Sequence, residues 1–476
     1  MTTPQATNVG KTAIQTPALT ETAIQELRAS LRGELIARGD LGYDAARKVH
    51  NAMIDRHPRL IARCVDVADV ISAVSFAREN GLTLAVRGGG HNVAGFGTCD
   101  DGLVIDLSPM KGIHVDPVKR TVRAEGGCTW GDVDHATHAF GLAAPGGVIS
   151  TTGIAGLTLG GGIGHLTRKY GLSCDNLISA DVVTADGRLI TASADQNEDL
   201  FWGLRGGGGN FGVVTSFKFR VHPVSTVFAG PILYPLEQSR EAMRFYRDYM
   251  AKAPDDMNAF FAFLIVPPGP PFPEHLHNKT VCGVVCCYTG PLDKAEGIVR
   301  PLREFGPPVF EHVGPMPFPM LQGAFDALVP PGLQNYWKAD FVKDLTDEII
   351  EAHVKYGPDV PTIHTALHIY PVSGAAHRVG RDDTAFSYRE AGFTHVIAAL
   401  YPDPADTPKN KTWVQNYWSE LHPHSAGGAY VNFMMEEGED RVAASYRDNY
   451  QRLAAIKAKY DPTNLFHVNQ NIKPKA

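Results

Sequence analysis

The sequence has little concentrated charge and no long apolar segment. Its 44 lysines and arginines against 51 aspartates and glutamates give a net charge of −7, without a basic block. A nucleic-acid-binding or membrane-binding surface is therefore not expected. No apolar run reaches the roughly 18 residues of a membrane-spanning helix. The first twenty residues lack a basic start and an apolar stretch, which favours a disordered tail over a secretory signal.

Cysteine is scarce and its spacing is uninformative. The seven cysteines are an odd number, and their positions fit neither a disulfide framework nor a zinc ribbon. Cys282, Cys286 and Cys287 lie close together, but no His-x-x-x-His follows them, so we interpret them as buried structural thiols and expect no metal. A reducing cytoplasm is the predicted location.

Two common nucleotide-binding motifs are also missing. A dinucleotide-binding Rossmann turn would open a helix and be followed about 20 residues later by an acidic residue, and a Walker loop would end in Gly-Lys-Ser/Thr. The glycine clusters of this chain are predicted to lead into loops or strands instead. A nicotinamide-dependent reductase is therefore the weaker alternative.

Glycine is the residue in excess, with 48 in 476 positions against a usual ~7%. Strands and helices alternate with glycine turns as far as Pro223, which predicts an α/β arrangement there. The predicted elements are a helix over Asp66–Asn80, strands over Leu82–Arg87, Leu103–Leu107 and Arg120–Glu125, and a helix over Thr129–Phe140 with Phe140 on its apolar face.

Beyond residue 225 proline-rich loops replace the glycine clusters. Predicted strands at Phe260–Val266, Val281–Tyr288 and Ile363–Tyr370 and a helix at Leu292–Phe305 indicate a second, α+β domain with a largely antiparallel sheet. One further helix is predicted near the carboxyl end, from the helical spacing of Val442, Tyr446, Tyr450, Leu453 and Ile456.

Three glycine clusters carry the functional signal. Arg87-Gly88-Gly89-Gly90-His91-Asn92 follows a buried strand, and consecutive glycines allow positive φ and expose backbone N–H groups to an anion such as a pyrophosphate. Arg87 can add positive charge. A tight loop without a ligand is the alternative. The run 153–164 is apolar and rich in glycine, as expected for backbone packed against a flat ligand. The third cluster, 205–214, precedes a strand.

Taken in order, these motifs resemble the flavin-binding (PCMH-type) domain of the vanillyl-alcohol-oxidase superfamily, and most closely its berberine-bridge-enzyme-like branch. Tyr430-Val431-Asn432-Phe433 and the segment 460–472 are similar to that branch's carboxyl-terminal signature. The resemblance covers roughly residues 45–225 and 428–474. It implies an α+β fold with a two-subdomain FAD-binding domain (41–225) after a tail and lead-in helix (1–40). A substrate domain with a large antiparallel sheet covered by helices (226–428) and a returning segment (429–476) complete it.

The resemblance implies that FAD is bonded covalently to His91, for which a neutral imidazole is a competent nucleophile. A histidine that is only hydrogen-bonded in the turn is the alternative. Some relatives add a second link through a cysteine, but Ile149 stands at that position, so we predict a single link. The resemblance and the spacing assign these residues to FAD: Arg87, Gly88, Gly89, Gly90, His91, Asn92, Gly147, Val148, Thr152, Gly153, Gly156, Gly161, Gly164, Val214, Asn432, Asn469 and Asn471. Surface turns are the alternative for the tail asparagines.

The implied reaction is oxidation of a CH–OH or CH–N group, which needs a base for the O–H or N–H proton. Tyr430 is the first candidate, although its ordinary pKa of ~10 must be lowered; His368 and Tyr370 come next. Ile154 is hypothesised to shield the flavin from oxygen, which would favour another acceptor over O2. The substrate is left open among alcohols, sugars, phenols, alkaloids and polyketides. The oligomeric state is open too, and a catalytically silent flavin-binding protein is a further alternative.

Overall fold

The computed structural model describes residues 19–475, so residues 1–18 of the predicted disordered tail lie outside the described residues. No helix within 19–475 combines the length and the apolar character that a membrane crossing needs. Except for the carboxyl-terminal helix, the predicted strands and helices occur within three residues of their predicted bounds. Asp66 caps its helix through a bond from the Asp69 N–H. Phe140 is a correction: the helix ends at His138 and the Phe140 side chain is 52% exposed.

The amino-terminal half contains two main sheets, connected by the loop 107–112. The first has four strands in the order β1-β2-β4-β3, with the last three parallel. The second is antiparallel, in the order β5-β6-β10-β8-β9. The strands are β1 (Glu34–Ala37), β2 (Leu60–Arg63), β3 (Leu84–Arg87), β4 (Leu103–Asp106), β5 (Ile113–Asp116), β6 (Thr121–Glu125), β8 (Leu177–Val183), β9 (Leu189–Ser193) and β10 (Val213–Arg220); β7 (Leu142–Ala143) and β11 (His222–Pro223) form a separate pair.

From residue 19 onward, this half contains seven α-helices. Strand β1 lies inside the segment predicted as a lead-in and forms an edge of the first sheet, because it pairs with β2. The helices are α1 (Glu21–Ser30), α2 (Tyr43–Ala46), α3 (Val67–Glu79), α4 (Trp130–His138), α5 (Ile154–Leu159), α6 (Thr167–Tyr170) and α7 (Glu198–Leu204).

Residues 226–401 form one eight-stranded antiparallel sheet. Its order is β15-β12-β14-β13-β18-β19-β17, with β16 also paired to β12. The strands are β12 (Thr226–Tyr234), β13 (Met257–Ile265), β14 (Thr280–Tyr288), β15 (Phe310–Glu311), β16 (Gly314–Pro317), β17 (Gln334–Val342), β18 (Ala366–Pro371) and β19 (Phe393–Tyr401).

The two faces of this sheet have different partners. Side chains alternate along a strand, so Phe261 and Phe263 of β13 pack in the core formed with the covering helices, whereas Phe260, Ala262 and Leu264 face the opposite side. That opposite side is turned towards the amino-terminal half. The helices of this part are α8 (Ser239–Lys252), α9 (Leu292–Glu304), α10 (Phe318–Gln322), α11 (Asp347–Tyr356), α12 (Ala375–Arg378) and α13 (Thr407–Leu421).

The carboxyl-terminal segment packs on the amino-terminal half. Instead of the single predicted helix it contains two, α14 (Glu439–Tyr446) and α15 (Asn449–Tyr460), because Arg447 between them takes a φ of 49° that no helix continues through. The buried Lys457 ammonium bonds the Asn210 carbonyl at 2.7 Å and the Asp461 carboxylate at 2.6 Å. The carboxyl-terminal segment therefore packs against the third glycine cluster, 205–214.

Candidate functional site

A cavity of about 960 Å³ lies between the amino-terminal half and the open face of the large sheet, with the carboxyl-terminal segment contributing to its wall. The sequence-predicted residues that line it come from all three parts of the chain. They are Arg87, Gly88, Gly89, Gly90, His91, Asn92, Gly147, Val148, Thr152, Gly153, Gly156, Val214, His368, Tyr370, Tyr430, Asn432 and Asn469.

Three residues predicted to bind the cofactor do not line this cavity: Gly161, Gly164 and Asn471. Gly161 has a φ of +130°, and an added Cβ would lie 2.8 Å from the Phe386 ring. An added Cβ on Gly164 would lie 2.0 Å from the Gly146 carbonyl oxygen. Chain packing therefore explains both glycines without a ligand.

The first glycine cluster forms a turn at the end of β3. Gly90 has a φ of +69°, which favours glycine. Within residues 19–475, the backbone N–H groups of Gly89, Gly90, His91 and Asn92 donate to no protein acceptor. Because unpaired backbone donors in successive residues bind anions, this turn fits the pyrophosphate of a dinucleotide.

Helix α5 corrects the prediction that the glycine clusters lead into loops or strands, because it begins directly after Gly153. Gly156 lies within this helix, where glycine is unfavourable. An added Cβ on Gly156 would meet no atom within 4 Å, and the residue lines the cavity. Protein packing does not require glycine here, whereas a flat ligand against the helix would. The position fits the ring system of a flavin.

His91 is the histidine that follows the turn. Burial, together with the neighbouring His50, lowers the pKa of His91 to about 3, so its imidazole is neutral at ordinary pH. The ring centroids of His50 and His91 are 4.1 Å apart, and Thr152 Oγ1 lies 3.4 Å from His91 Nδ1. Sequence reasoning missed His50, and no local pattern marks it.

Arg87 is less available to an anion than predicted. Its guanidinium donates to the Asp106 carboxylate at 3.0 Å and to the Lys48 carbonyl, and Arg87 and Asp106 are both buried. The charge of Arg87 is thus balanced inside the protein. At the position of a second flavin link, Ile149 lines the cavity. All seven cysteines are free and buried, and burial raises the pKa of the Cys128 thiol to about 12.

Tyr430, the first candidate base, lies on the carboxyl-terminal segment. Its hydroxyl oxygen accepts the Gly162 N–H at 2.7 Å and the Asn432 amide at 2.7 Å. Asn432 also donates to the Leu157 carbonyl, so the pair ties this segment to the second glycine cluster. Burial raises the pKa of Tyr430, opposite to the lowering that a base requires.

The other two candidates form a hydrogen-bonded pair on the cavity face of β18. Tyr370 Oη lies 2.6 Å from His368 Nδ1. Burial lowers the pKa of His368 to about 4, so its ring is neutral and its Nδ1 can accept a hydrogen bond from the Tyr370 hydroxyl. Phe260 contacts both rings, at centroid distances of 4.8 and 5.1 Å.

The side chains that line the cavity include several aromatic residues but not Ile154. Ile154 is fully buried outside the lining, which removes the structural basis for its role as an oxygen shield; its neighbour Ala155 lines the cavity instead. Phe260 and Trp337 line the cavity. Further lining aromatics that sequence reasoning did not assign to the cavity include Phe325 and Phe433.

Comparison with known proteins gives the family. A profile described as FAD binding domain matches residues 58–193, and one described as berberine and berberine like matches residues 429–473. An FAD-linked oxidoreductase of Dictyostelium discoideum is 34% identical over 95% of this chain and 97% of its own length. The (R)-6-hydroxynicotine oxidase of Paenarthrobacter nicotinovorans is 31% identical over 94% and 98%.

The crystal structure of 6-hydroxy-D-nicotine oxidase from Arthrobacter nicotinovorans superposes with a TM-score of 0.84 at 30% identity, covering 94% of this chain and 99% of that one. This similarity confirms the predicted α+β fold with its PCMH-type FAD-binding domain and large antiparallel sheet. The chain is therefore an FAD-dependent oxidoreductase of the berberine-bridge-enzyme-like family.

Proposed function

We propose that this enzyme carries its FAD on His91 through a single covalent bond and oxidises a CH–OH or CH–N group of a small organic molecule. The observation that carries the proposal is the position of a neutral, buried imidazole directly after a turn with four unpaired backbone N–H groups. The name of the nicotine-oxidising relative supports a small organic substrate.

The glycine turn would hold the pyrophosphate, and Gly153, Gly156 and Thr152 would lie along the rest of FAD. When bound, FAD supplies an acceptor for a hydride from the substrate and passes the electrons to O2, giving H2O2, or to another acceptor. His91 would contribute its unprotonated ring nitrogen to the bond with the flavin's methyl carbon. His50 packs against that ring at a tilt and limits its movement.

The base is proposed to be the His368–Tyr370 pair rather than Tyr430. At Tyr430 the two N–H donors lower the pKa and burial, the larger effect, raises it, and among the described residues no side chain accepts its hydroxyl proton. Burial raises the pKa of Tyr370 as well, but Tyr370 has an acceptor for its proton in His368. Tyr370 can accept the substrate proton while its own proton moves to the neutral His368 Nδ1 at 2.6 Å. The proton taken from the substrate then stays on these two side chains of β18, which together gain one positive charge.

The experiment that tests this proposal is acid precipitation of purified protein followed by an absorbance spectrum of the pellet. We expect flavin absorbance to stay with the wild-type pellet and to leave with the supernatant in His91→Ala. Flavin retained by His91→Ala would place the link elsewhere, and a colourless wild-type protein from riboflavin-supplied cells would contradict the proposal. An oxygen electrode then identifies O2 or another compound as the acceptor. The cytoplasmic location stays a prediction.

A further inference from the structure

The cavity wall contributed by residues 226–428, here called the substrate wall, contains no aspartate, glutamate, lysine or arginine in the described part of the chain. It consists mainly of aliphatic, proline and aromatic side chains. In the proposed placement FAD lies against the glycine turn and α5 on the other wall, so the substrate wall faces the molecule that reacts. The composition of this wall therefore indicates which chemical groups that molecule has.

Polar groups on the substrate wall are few, and most already have partners. Asn335 donates its amide to the Leu333 carbonyl, and His364 Nδ1 lies 2.9 Å from the Leu328 carbonyl. Thr365 bonds Thr362. His312 is exposed and lies at the rim. The remaining side-chain polar groups are those of the His368–Tyr370 pair and the Trp337 indole N–H, which has no partner among the described residues.

Charge is equally scarce across the whole cavity. Arg87 is the single lysine, arginine, aspartate or glutamate among its described lining residues, and Asp106 already neutralises it at 3.0 Å. A carboxylate or ammonium group brought into this cavity would lose water without gaining a counterion, which is strongly unfavourable. A sugar would bury several hydroxyls against side chains that cannot pair with them.

Aromatic rings follow one another along the wall and into the carboxyl-terminal segment. Phe260 lies 5.8 Å from Phe325 and 5.1 Å from Tyr370, whose ring is 5.9 Å from Phe433. Trp337 also lies 5.9 Å from Phe433. Offset and edge contacts with such rings are favourable for a flat aromatic molecule.

On the basis of the proposed function, we propose that the substrate is an uncharged, mainly aromatic molecule whose one reacting O–H or N–H group meets the His368–Tyr370 pair. Oligosaccharides, carboxylates and permanently cationic amines are excluded by the same wall.

The test is isothermal titration calorimetry on the purified holoenzyme with naphthalene probes that differ in charge. We expect 2-acetonaphthone, which is neutral, to bind at least tenfold more tightly than 2-naphthoate, 2-naphthyltrimethylammonium and cellobiose. A preference below tenfold over any one of them overturns the inference. Cation–π contacts with these rings make the ammonium probe the most stringent comparison.

A second binding experiment introduces a charge on the substrate wall. Met316 lines the cavity and is half-buried, so Met316→Lys should tighten 2-naphthoate binding at least fivefold relative to Met316→Gln. A smaller gain would mean that the probes do not lie against this wall and would overturn the inference. These measurements need no turnover, whereas failure of every oxidisable alcohol and amine to reduce the bound flavin would contradict the proposed function alone.

Discussion

The imidazole rings of His50 and His91 lie with centroids 4.1 Å apart and planes inclined by 32°, although 40 residues of chain separate them. His50 Nε2 lies 3.1 Å from the Val329 carbonyl, which belongs to the part of the chain that forms the large sheet. Burial lowers the pKa of His50 as it does that of His91. Two neutral rings are thus held together at the contact between the two halves of the molecule.

This contact predicts that His50 positions the flavin attachment residue. His50→Ala removes the ring that His91 packs against, and we expect the fraction of acid-stable flavin in the pellet to fall several-fold. His50→Phe keeps an aromatic ring and should retain most of it. Equal loss in both variants would instead assign the effect to the missing bond with the Val329 carbonyl.

Replacing Gly156 by alanine is predicted to affect protein stability and flavin binding in opposite directions. Replacing a helical glycine by alanine stabilises a compatible helix by roughly 0.5–1 kcal/mol, and an added Cβ at Gly156 meets no protein atom within 4 Å. We expect Gly156→Ala to fold normally but to purify with less flavin, measured by the ratio of absorbance at 450 and 280 nm.

The matched control is Gly297→Ala. Gly297 lies in α9, also has nothing within 4 Å of an added Cβ, and does not line the cavity. It should gain similar stability with full flavin content. Full flavin content in Gly156→Ala would contradict the placement of the ring system against α5.

The His368–Tyr370 pair predicts a loss of rate in Tyr370→Phe. Removing a positioned base typically lowers the rate 10²- to 10⁴-fold, so anaerobic flavin reduction by saturating substrate should slow by about that factor with little change in KM. His368→Gln should slow it less, because Tyr370 keeps its hydroxyl. A larger rate loss in Tyr430→Phe than in Tyr370→Phe would return the base to Tyr430.

Buried neutral histidines predict a loss of stability in acid. Burial lowers the pKa of His165 to about 4, and in the described structure neither ring nitrogen has a partner. The unfolded chain, with a histidine pKa near 6.5, therefore binds the proton first, so stability present above pH 6.5 is lost as the pH falls to about 4.

His165→Gln should reduce this loss by about 3 kcal/mol between pH 7 and pH 4, measured as the change in unfolding free energy in urea. His275→Gln, at an exposed position, serves as the control and should leave the loss unchanged. An identical acid loss in His165→Gln and in the unaltered protein would contradict the assigned burial of a neutral ring.

The sequence by itself determined the local elements and the family. Runs with a helical or alternating period yield α3, β4 and β14 because such patterns arise from short-range geometry. The Arg87–Asn92 turn could be predicted because it requires backbone that only glycine adopts easily and because its order with the later motifs is specific. The carboxyl-terminal helix was predicted as one because apolar spacing alone does not reveal the reversal of φ at Arg447.

Tertiary structure alone decided which of these residues meet in the cavity. The glycines of the run 153–164 serve two different purposes. Gly156 faces open space, whereas Gly161 and Gly164 allow neighbouring segments of the chain to pack closely. The Ile154 side chain lies in the core, whereas Ala155 lines the cavity. The His50–His91 and Arg87–Asp106 contacts and the uncharged substrate wall depend on segments brought together over long sequence distances. No local pattern encodes such contacts, because their energy comes from burial that exists only once the chain has folded.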